Sequence, residues 1–283
     1  MSIIEKSIIA AEKRVSPKSS HLKQADNADS TPKTTNDERI IDWPTDRFKR
    51  PPGTSSDNQL FISQFRQLKR AVMRAAFGPL AEPGSNIVIV TSALPNAGKT
   101  FITMNIANAM SNERDRNVLL IDADNAGHSL TDELELGERT GFFDLLNDNS
   151  LHLNDVITKP RMPRLEVIPT GHRFSDSAEL LSSRRAIDLL SRLSKQDPDR
   201  LIIFDAPPLL ATSDAPALSD LGGLFLLVID AGTTTHNQVD QALQIFSEKD
   251  TVGLVLNKAS VSSSSLLGQY AKHYGAEIAH DSQ

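Results

Sequence analysis

Two rhythms alternate along this chain: short, nearly continuous apolar runs, and longer stretches in which apolar residues recur every three or four positions. The runs are Ile87–Val90, Asn117–Asp122, Arg164–Pro169, Arg200–Asp205, Gly223–Asp230 and Val252–Asn257. Each is short, rich in Val, Ile and Leu, and bounded by turn-forming residues, which reads as a buried strand. The helical rhythm covers roughly Gln59–Phe77, the stretch from Lys99 with Ile102, Ile106 and Ala109 on one stripe, and Ala178–Lys195. Shorter helical pieces fall at Leu130–Leu136 and Gly141–Leu146. Strands without polar alternation, separated by helices, predict an α/β fold: a mostly parallel sheet with helices on both faces. There is no internal repeat. In such a sheet ligands sit at the C-terminal ends of the strands.

The first strand leads into the candidate site. After Ile87–Val90 come Pro95, Asn96 and Gly98, which break the strand, and from Lys99 the pattern turns helical. The stretch reads Ala93-x4-Gly98-Lys99-Thr100, with alanine where glycine is commoner in a phosphate-binding loop. A strand, a tight loop and a helix start aim consecutive backbone N–H groups at one anion. This predicts a P-loop NTPase that takes a nucleotide with Mg²⁺. Lys99 would reach the β- and γ-phosphates, and the Thr100 hydroxyl would ligate Mg²⁺. Pro95, Asn96, Ala97, Gly98, Lys99, Thr100 and Phe101 are the expected nucleotide contacts.

Acids end several of the strands. Asp205 closes Ile-Ile-Phe-Asp and precedes Ala-Pro-Pro, the place of the acid that holds Mg²⁺ through water in phosphate-loop enzymes. Asp122 closes another strand, and could take a proton from an attacking hydroxyl or help hold the metal. Asp124 follows in its loop. A lone aspartate at a strand end is usually a turn residue, but two beside one phosphate loop point to chemistry. Asp230 keeps the turn reading, because Ala231-Gly232-Thr233 follows it. Asn257 ends the last strand, where its amide could read an adenine edge or could simply be a polar terminus. The seven histidines show no metal-binding spacing.

Composition narrows the remaining classes. The chain has 283 residues and no cysteine, which removes disulfides, thiolate catalysis and zinc–thiolate sites. A net charge of −6 gives no general attraction to nucleic acid or to an anionic membrane. No apolar run is long enough to span a bilayer and no signal-peptide core is present, so a cytoplasmic location is expected. Residues 1–57 read as an N-terminal tail and 58–283 as the nucleotide-binding domain. Within the tail, 15–57 is a non-periodic mixture of Ser, Thr, Pro, Asn, Asp and Lys, expected to be a disordered linker. Two islands interrupt it. Ser2–Lys13 fits a short amphipathic helix, either a docking element or a terminal helix without a role. Ile40-Ile41-Asp42-Trp43-Pro44 holds the single Trp, as a clip onto the domain or as an apolar linker patch.

Three ordered motifs carry a resemblance. Ser92-Ala-Leu-Pro-Asn-Ala-Gly-Lys-Thr100, Val118-Leu-Leu-Ile-Asp-Ala-Asp124 and Leu201-Ile-Ile-Phe-Asp-Ala-Pro-Pro208 are similar to the Walker A, A′ and B motifs of the bacterial tyrosine kinases (BY-kinases). Those are cytoplasmic autokinases of capsule and exopolysaccharide export. Glu179-Leu-Leu-Ser-Ser183 and Asp214-Ala215 fall where that family has similar residues. The opening Met-Ser-Ile-Ile-Glu-Lys resembles the tyrosine autokinases of exosortase-associated exopolysaccharide loci. Septum-placement and plasmid-partition ATPases carry an extra lysine early in the loop. Ala93-Leu-Pro-Asn-Ala97 has none, which favours the kinase branch.

The resemblance spans about residues 58–275. It implies that Lys99 and Thr100 hold phosphates and Mg²⁺, that Asp122 and Asp124 act in the A′ motif with Asp122 as the base, and that Asp205 organises the metal. It also implies recruitment to the inner face of the membrane by the cytoplasmic tail of a polysaccharide copolymerase or chain-length determinant, homo-oligomerisation, and phosphorylation of C-terminal tyrosines. The only two tyrosines are Tyr270 and Tyr274. The chain departs from the family in four places. Asn96 stands where a loop glycine is usual, and Ala126 where an arginine follows the A′ acids. The oligomerisation motif is reduced to Ser63-x-x-Arg66-x-x-Lys69, and the tyrosine cluster to two. Two functions stay open: a protein-tyrosine autokinase controlling polysaccharide chain length and export, and a kinase-weak nucleotide switch coupled to the copolymerase.

Overall fold

The computed structural model describes residues 40–44 and 55–259, apart from 213, 215, 216, 218–220, 222, 248 and 249, and gives backbone alone for 55–60. Ser2–Lys13, Tyr270 and Tyr274 lie outside the described residues. In chain order the elements are β1 (Ile40–Ile41), α1 (Ser55–Phe77), β2 (Ile87–Ser92), α2 (Lys99–Ser111), β3 (Asn117–Asp122), α3 (Ser129–Glu133), α4 (Phe142–Asn147) and α5 (Leu153–Val156). They continue with β4 (Lys159–Pro160), β5 (Leu165–Ile168), α6 (Ser177–Leu181), α7 (Arg184–Gln196), β6 (Arg200–Asp205), β7 (Leu224–Asp230), α8 (His236–Leu243) and β8 (Thr251–Asn257).

The apolar runs form one six-stranded sheet, ordered β5-β3-β6-β2-β7-β8, with every pairing parallel. Successive strand residues point to opposite faces, so each run fills two cores at once. Val88, Val90, Leu120, Leu201 and Ile203 pack with Ile102, Ile106 and Met110 of α2 and with Val72 and Ala76 of α1. Ile87, Ile89, Leu119, Ile121, Ile202 and Phe204 pack on the other side with Phe142 and Phe143 of α4 and Ala186, Leu190 and Leu193 of α7. That double burial explains why β2 and β6 are apolar without alternation. β8 is one of the two edge strands, and its Leu254 and Leu256 are 56% and 62% exposed.

Two features differ from the sequence reading, and one alternative is decided. The helix expected over Ala178–Lys195 is two helices. Ser183 takes an extended conformation and its hydroxyl accepts the Ala186 N–H at 3.2 Å, an N-cap that starts α7 and ends α6. The helix expected from Gln59 begins at Ser55. Of the two readings of Ile40–Pro44, the clip onto the domain is the one formed. β1 pairs in parallel with β4, Arg161 N–H donates to the Ile41 carbonyl at 2.8 Å, and Trp43 is 6% exposed within the α1–α2 core. The linker expected across 15–57 is therefore interrupted by an anchored segment. Burying an indole stabilises by about 2–3 kcal/mol, enough to hold so short a strand pair in place.

Candidate functional site

The loop between β2 and α2 stands at the C-terminal end of the sheet's centre, flanked by β6 and β7. Its base is fixed by Leu209 and Leu210, whose N–H groups donate to the carbonyls of Ser92 (2.7 Å) and Ala93 (3.1 Å). Thr91 Oγ1 donates to the Pro207 carbonyl at 2.7 Å. Pro95 and Asn96 form an exposed apex, and Ala97 is buried. Asn96 takes φ 62° and Gly98 φ 93°. The first value accounts for asparagine where the family usually has glycine: both residues tolerate the left-handed region. At Gly98 the φ of 93° strains any L side chain, and an added Cβ, 2.2 Å from Asn257 Nδ2, would push that amide off the loop.

The helix that follows delivers three polar groups to one place. Lys99 is only 7% exposed, and its ammonium lies 3.9 Å from Asp124 Oδ2. Thr100 Oγ1 donates to Asp205 Oδ2 at 2.6 Å, and Thr103 Oγ1 lies 3.2 Å from Asp205 Oδ1. Asp205 and Asp122 are register partners on neighbouring strands. Asp122 is fully buried. Its Oδ2 accepts the Thr131 N–H (2.8 Å) and hydroxyl (2.7 Å), and its Oδ1 accepts the Asp124 N–H (3.1 Å). Thr131 Oγ1 in turn accepts the Thr170 N–H at 2.9 Å. Asp124 Oδ1 accepts the Gly127 N–H at 2.8 Å.

Three carboxylates thus cluster at the loop, with Lys99 beside Asp124 and acting on Asp205. Burial and the charges of Asp122 and Asp124, against the opposing pull of Lys99 and Thr100, push Asp205 from 3.8 up to about 7. Burial also raises Asp122, partly countered by the Thr131 and Thr170 hydroxyls. Among the described residues no cluster of three or more His, Asp or Glu side chains could hold a metal alone. The donors present nonetheless fit Mg²⁺, a hard ion that takes oxygen ligands, keeps water and shares phosphate oxygens. A positive charge beside Asp205 would reverse its upward shift.

The structure gathers Lys99, Thr100, Asp122, Asp124 and Asp205 as the sequence implied, and separates two other candidates from the reacting end. The Phe101 ring packs on Phe61 and Phe65 of α1, with centroids at 5.9 and 6.1 Å, leaving its backbone N–H for a phosphate. The Asn257 amide donates to the Ala97 carbonyl at 2.8 Å, so it first braces the loop. Asp214 is buried and accepts the Ser177 hydroxyl at 2.9 Å, which joins its segment to the start of α6. Sequence reading missed Thr103, Thr131 and Thr170. Thr103 alone left a trace, one helical turn after Lys99 on the stripe that faces Asp205.

The sequence model for the CobQ/CobB/MinD/ParA nucleotide binding domain matches residues 88–279, well over half of the chain. The chain belongs to that family. Within the CobQ/CobB/MinD/ParA family its relatives are BY-kinases. It is 29% identical over 210 residues to "Tyrosine-protein kinase ptk" of Acinetobacter johnsonii, across 74% of this chain and 28% of the relative. It is 27% identical over 240 residues to "Putative tyrosine-protein kinase in cps region" of Klebsiella pneumoniae, across 81% of this chain and 31% of the relative. The chain therefore spans less than a third of the length of those two relatives. Among solved structures, the kinase domain of Escherichia coli tyrosine kinase ETK superposes with a TM-score of 0.59 at 26% identity, covering 80% of this chain and 92% of that one.

Proposed function

We propose that this chain is an ATP-dependent protein-tyrosine autokinase that regulates the chain length and export of a capsular or extracellular polysaccharide. The observation that carries the reading is the convergence of Lys99, Thr100, Asp122, Asp124 and Asp205 at one loop. Lys99 and the N–H groups of Pro95–Phe101 that are not proline bind the phosphates of ATP. Thr100 and Asp205, with Asp122 behind them, hold Mg²⁺, which when bound neutralises charge on the phosphates. Asp122 takes the proton of the attacking tyrosyl hydroxyl. Its raised proton affinity suits a base, and Oδ1 keeps a lone pair beyond the Asp124 bond. The tyrosyl oxygen bonds to the γ-phosphorus, the bond to the bridging β–γ oxygen breaks, and ADP leaves with that oxygen. Asn257 retains a second N–H and a carbonyl oxygen for an adenine edge.

Tyr270 and Tyr274 are the acceptors in this reading, supplied between copies of an oligomer. The relative from a cps region supports the polysaccharide assignment. No described helix is long and apolar enough to cross a membrane. The protein then works in the cytoplasm, recruited to the inner membrane face by the tail of a polysaccharide copolymerase, with no nucleic-acid role. A second reading, a nucleotide-dependent switch with little kinase activity, is favoured by Ala126 at the A′ arginine position and by a tyrosine count of two. Incubation with γ-labelled ATP and Mg²⁺, with and without the partner's cytoplasmic tail, separates the two. Label on the protein supports the kinase. Label released only as free phosphate supports the switch and overturns the kinase.

A further inference from the structure

The nucleotide loop is held from outside by the far edge of the sheet. Lys258, the residue after β8, donates from Nζ to the Asn96 carbonyl at 2.6 Å and to Asp230 Oδ2 at 2.9 Å. Its neighbour Asn257 donates to the next carbonyl of the loop, Ala97, at 2.8 Å. Asp230 is itself fixed: Oδ1 accepts the Gly232 N–H at 2.9 Å, and its backbone carbonyl accepts the Thr234 N–H at 3.0 Å. β7 and β8 are paired so that Asp230 and Asn257 are register partners. The residue that follows, Lys258, takes φ 56°, a left-handed turn at which its ammonium meets Asp230.

The consequence follows from the geometry of the peptide bond. In a trans peptide the C=O of one residue and the N–H of the next point in opposite directions. Drawing the Asn96 and Ala97 carbonyls outward to Lys258 and Asn257 turns the N–H groups of Ala97 and Gly98 inward, toward the space an anion occupies. Two consecutive peptide planes are thus oriented before any ligand arrives, which lowers the ordering cost of binding. We propose that Asp230 and Lys258 form a charged strut that pre-orients the phosphate-binding peptides, making both of them positioning residues of the nucleotide site. The strut rests on the reading of Pro95–Thr100 as the phosphate loop. Asp230, which its sequence context marks as a turn residue, is then both turn and brace.

The test is ADP·Mg²⁺ binding by calorimetry on the full chain, with melting curves recorded without nucleotide. Lys258→Met is expected to raise the dissociation constant about tenfold, the size of one lost charge-assisted hydrogen bond, and to move the nucleotide-free melting temperature by only a few degrees. Lys258→Arg should recover most of the affinity. Asp230→Asn should fall between, and the double variant Asp230→Asn/Lys258→Met should bind no worse than Lys258→Met alone, because the pair acts as one device. Lys258→Met binding within about twofold of the native chain, or losses that simply add in the double variant, would overturn the strut. Collapse of the nucleotide-free melting transition in both Lys258 variants would make the pair a fold brace and overturn it too. Native protein that fails to bind ADP·Mg²⁺ would instead overturn the reading of the loop on which the strut rests.

Discussion

Asp205 and Asp230 are the same residue type at the same kind of place, the last position of a parallel strand, and the protein treats them in opposite ways. Asp205 lies at the centre of the sheet, 1% exposed, beside Asp122 and Asp124, and is pushed up to about 7. Asp230 lies one strand in from the edge. The Lys258 ammonium and the Gly232 N–H hold its carboxyl below the usual range. The centre stores unfavourable charge that a cationic ligand can relieve. The edge has already spent its charge on a lysine and holds the frame still. A strand-end aspartate is thus a site or a brace according to its neighbours, which sequence position alone does not reveal.

The comparison can be broken or sharpened by substitution, beginning with the largest effect. Lys99→Ala removes the one cation among three carboxylates, and calorimetry should show ATP·Mg²⁺ affinity falling about a hundredfold or more. Next, Asp122→Asn should lower turnover by about 10²–10⁴ in a phosphate-transfer assay while nucleotide affinity changes little, as expected for a base acting in the transition state. A loss of affinity equal to the loss of turnover would remove Asp122 from that role.

Asp205→Asn makes a prediction of opposite sign for stability. The folded-state value of Asp205 lies above its unfolded value, so its contribution is full below about pH 4 and is lost as pH rises through about 7. In EDTA and without nucleotide, the asparagine variant should therefore melt near the native chain at pH 4 and higher than it at pH 8. The gain is on the order of 2–4 kcal/mol, at about 1.4 kcal/mol per pKa unit. Asp230→Asn should do the reverse. Asp230 is depressed, so its contribution is present above the unfolded value and lost as pH falls through the lower folded one, and the variant should melt slightly below native at pH 7. Thr131→Val keeps the volume but leaves Asp122 Oδ2 without its hydroxyl donor. Denaturant unfolding should show a loss of about 1–2 kcal/mol, with reduced turnover.

Much of this was written in local pattern. Ile87–Val90 and Leu201–Phe204 announce their strands because both faces of each are buried, and Gly98-Lys99-Thr100 is a contiguous signal. The pairing of Ile40–Ile41 with Lys159–Pro160 was not legible, since two residues per strand carry no periodicity. The break at Ser183 was hidden because a serine N-cap inside an apolar rhythm looks like a surface position of one helix. The strut was invisible for a different reason. Lys258 and Asn96 lie 162 residues apart and meet only because β8 is laid beside β7 at the sheet's edge. Thr131 and Thr170 escaped likewise, 39 residues apart and joined beneath Asp122. Asn257, read from sequence as an adenine contact or a polar strand end, braces the loop through the Ala97 carbonyl, a use that its place in the chain did not announce.

Mapping of phosphotyrosine by mass spectrometry tests the central claim most directly, on native and Lys99→Ala chains incubated with ATP and Mg²⁺ in the presence of the membrane partner's cytoplasmic tail. Phosphate on Tyr270 or Tyr274 of the native chain, absent from Lys99→Ala, is the predicted result. A native chain that binds ATP·Mg²⁺ yet carries no phosphotyrosine would contradict the autokinase and leave a nucleotide switch built on the same site.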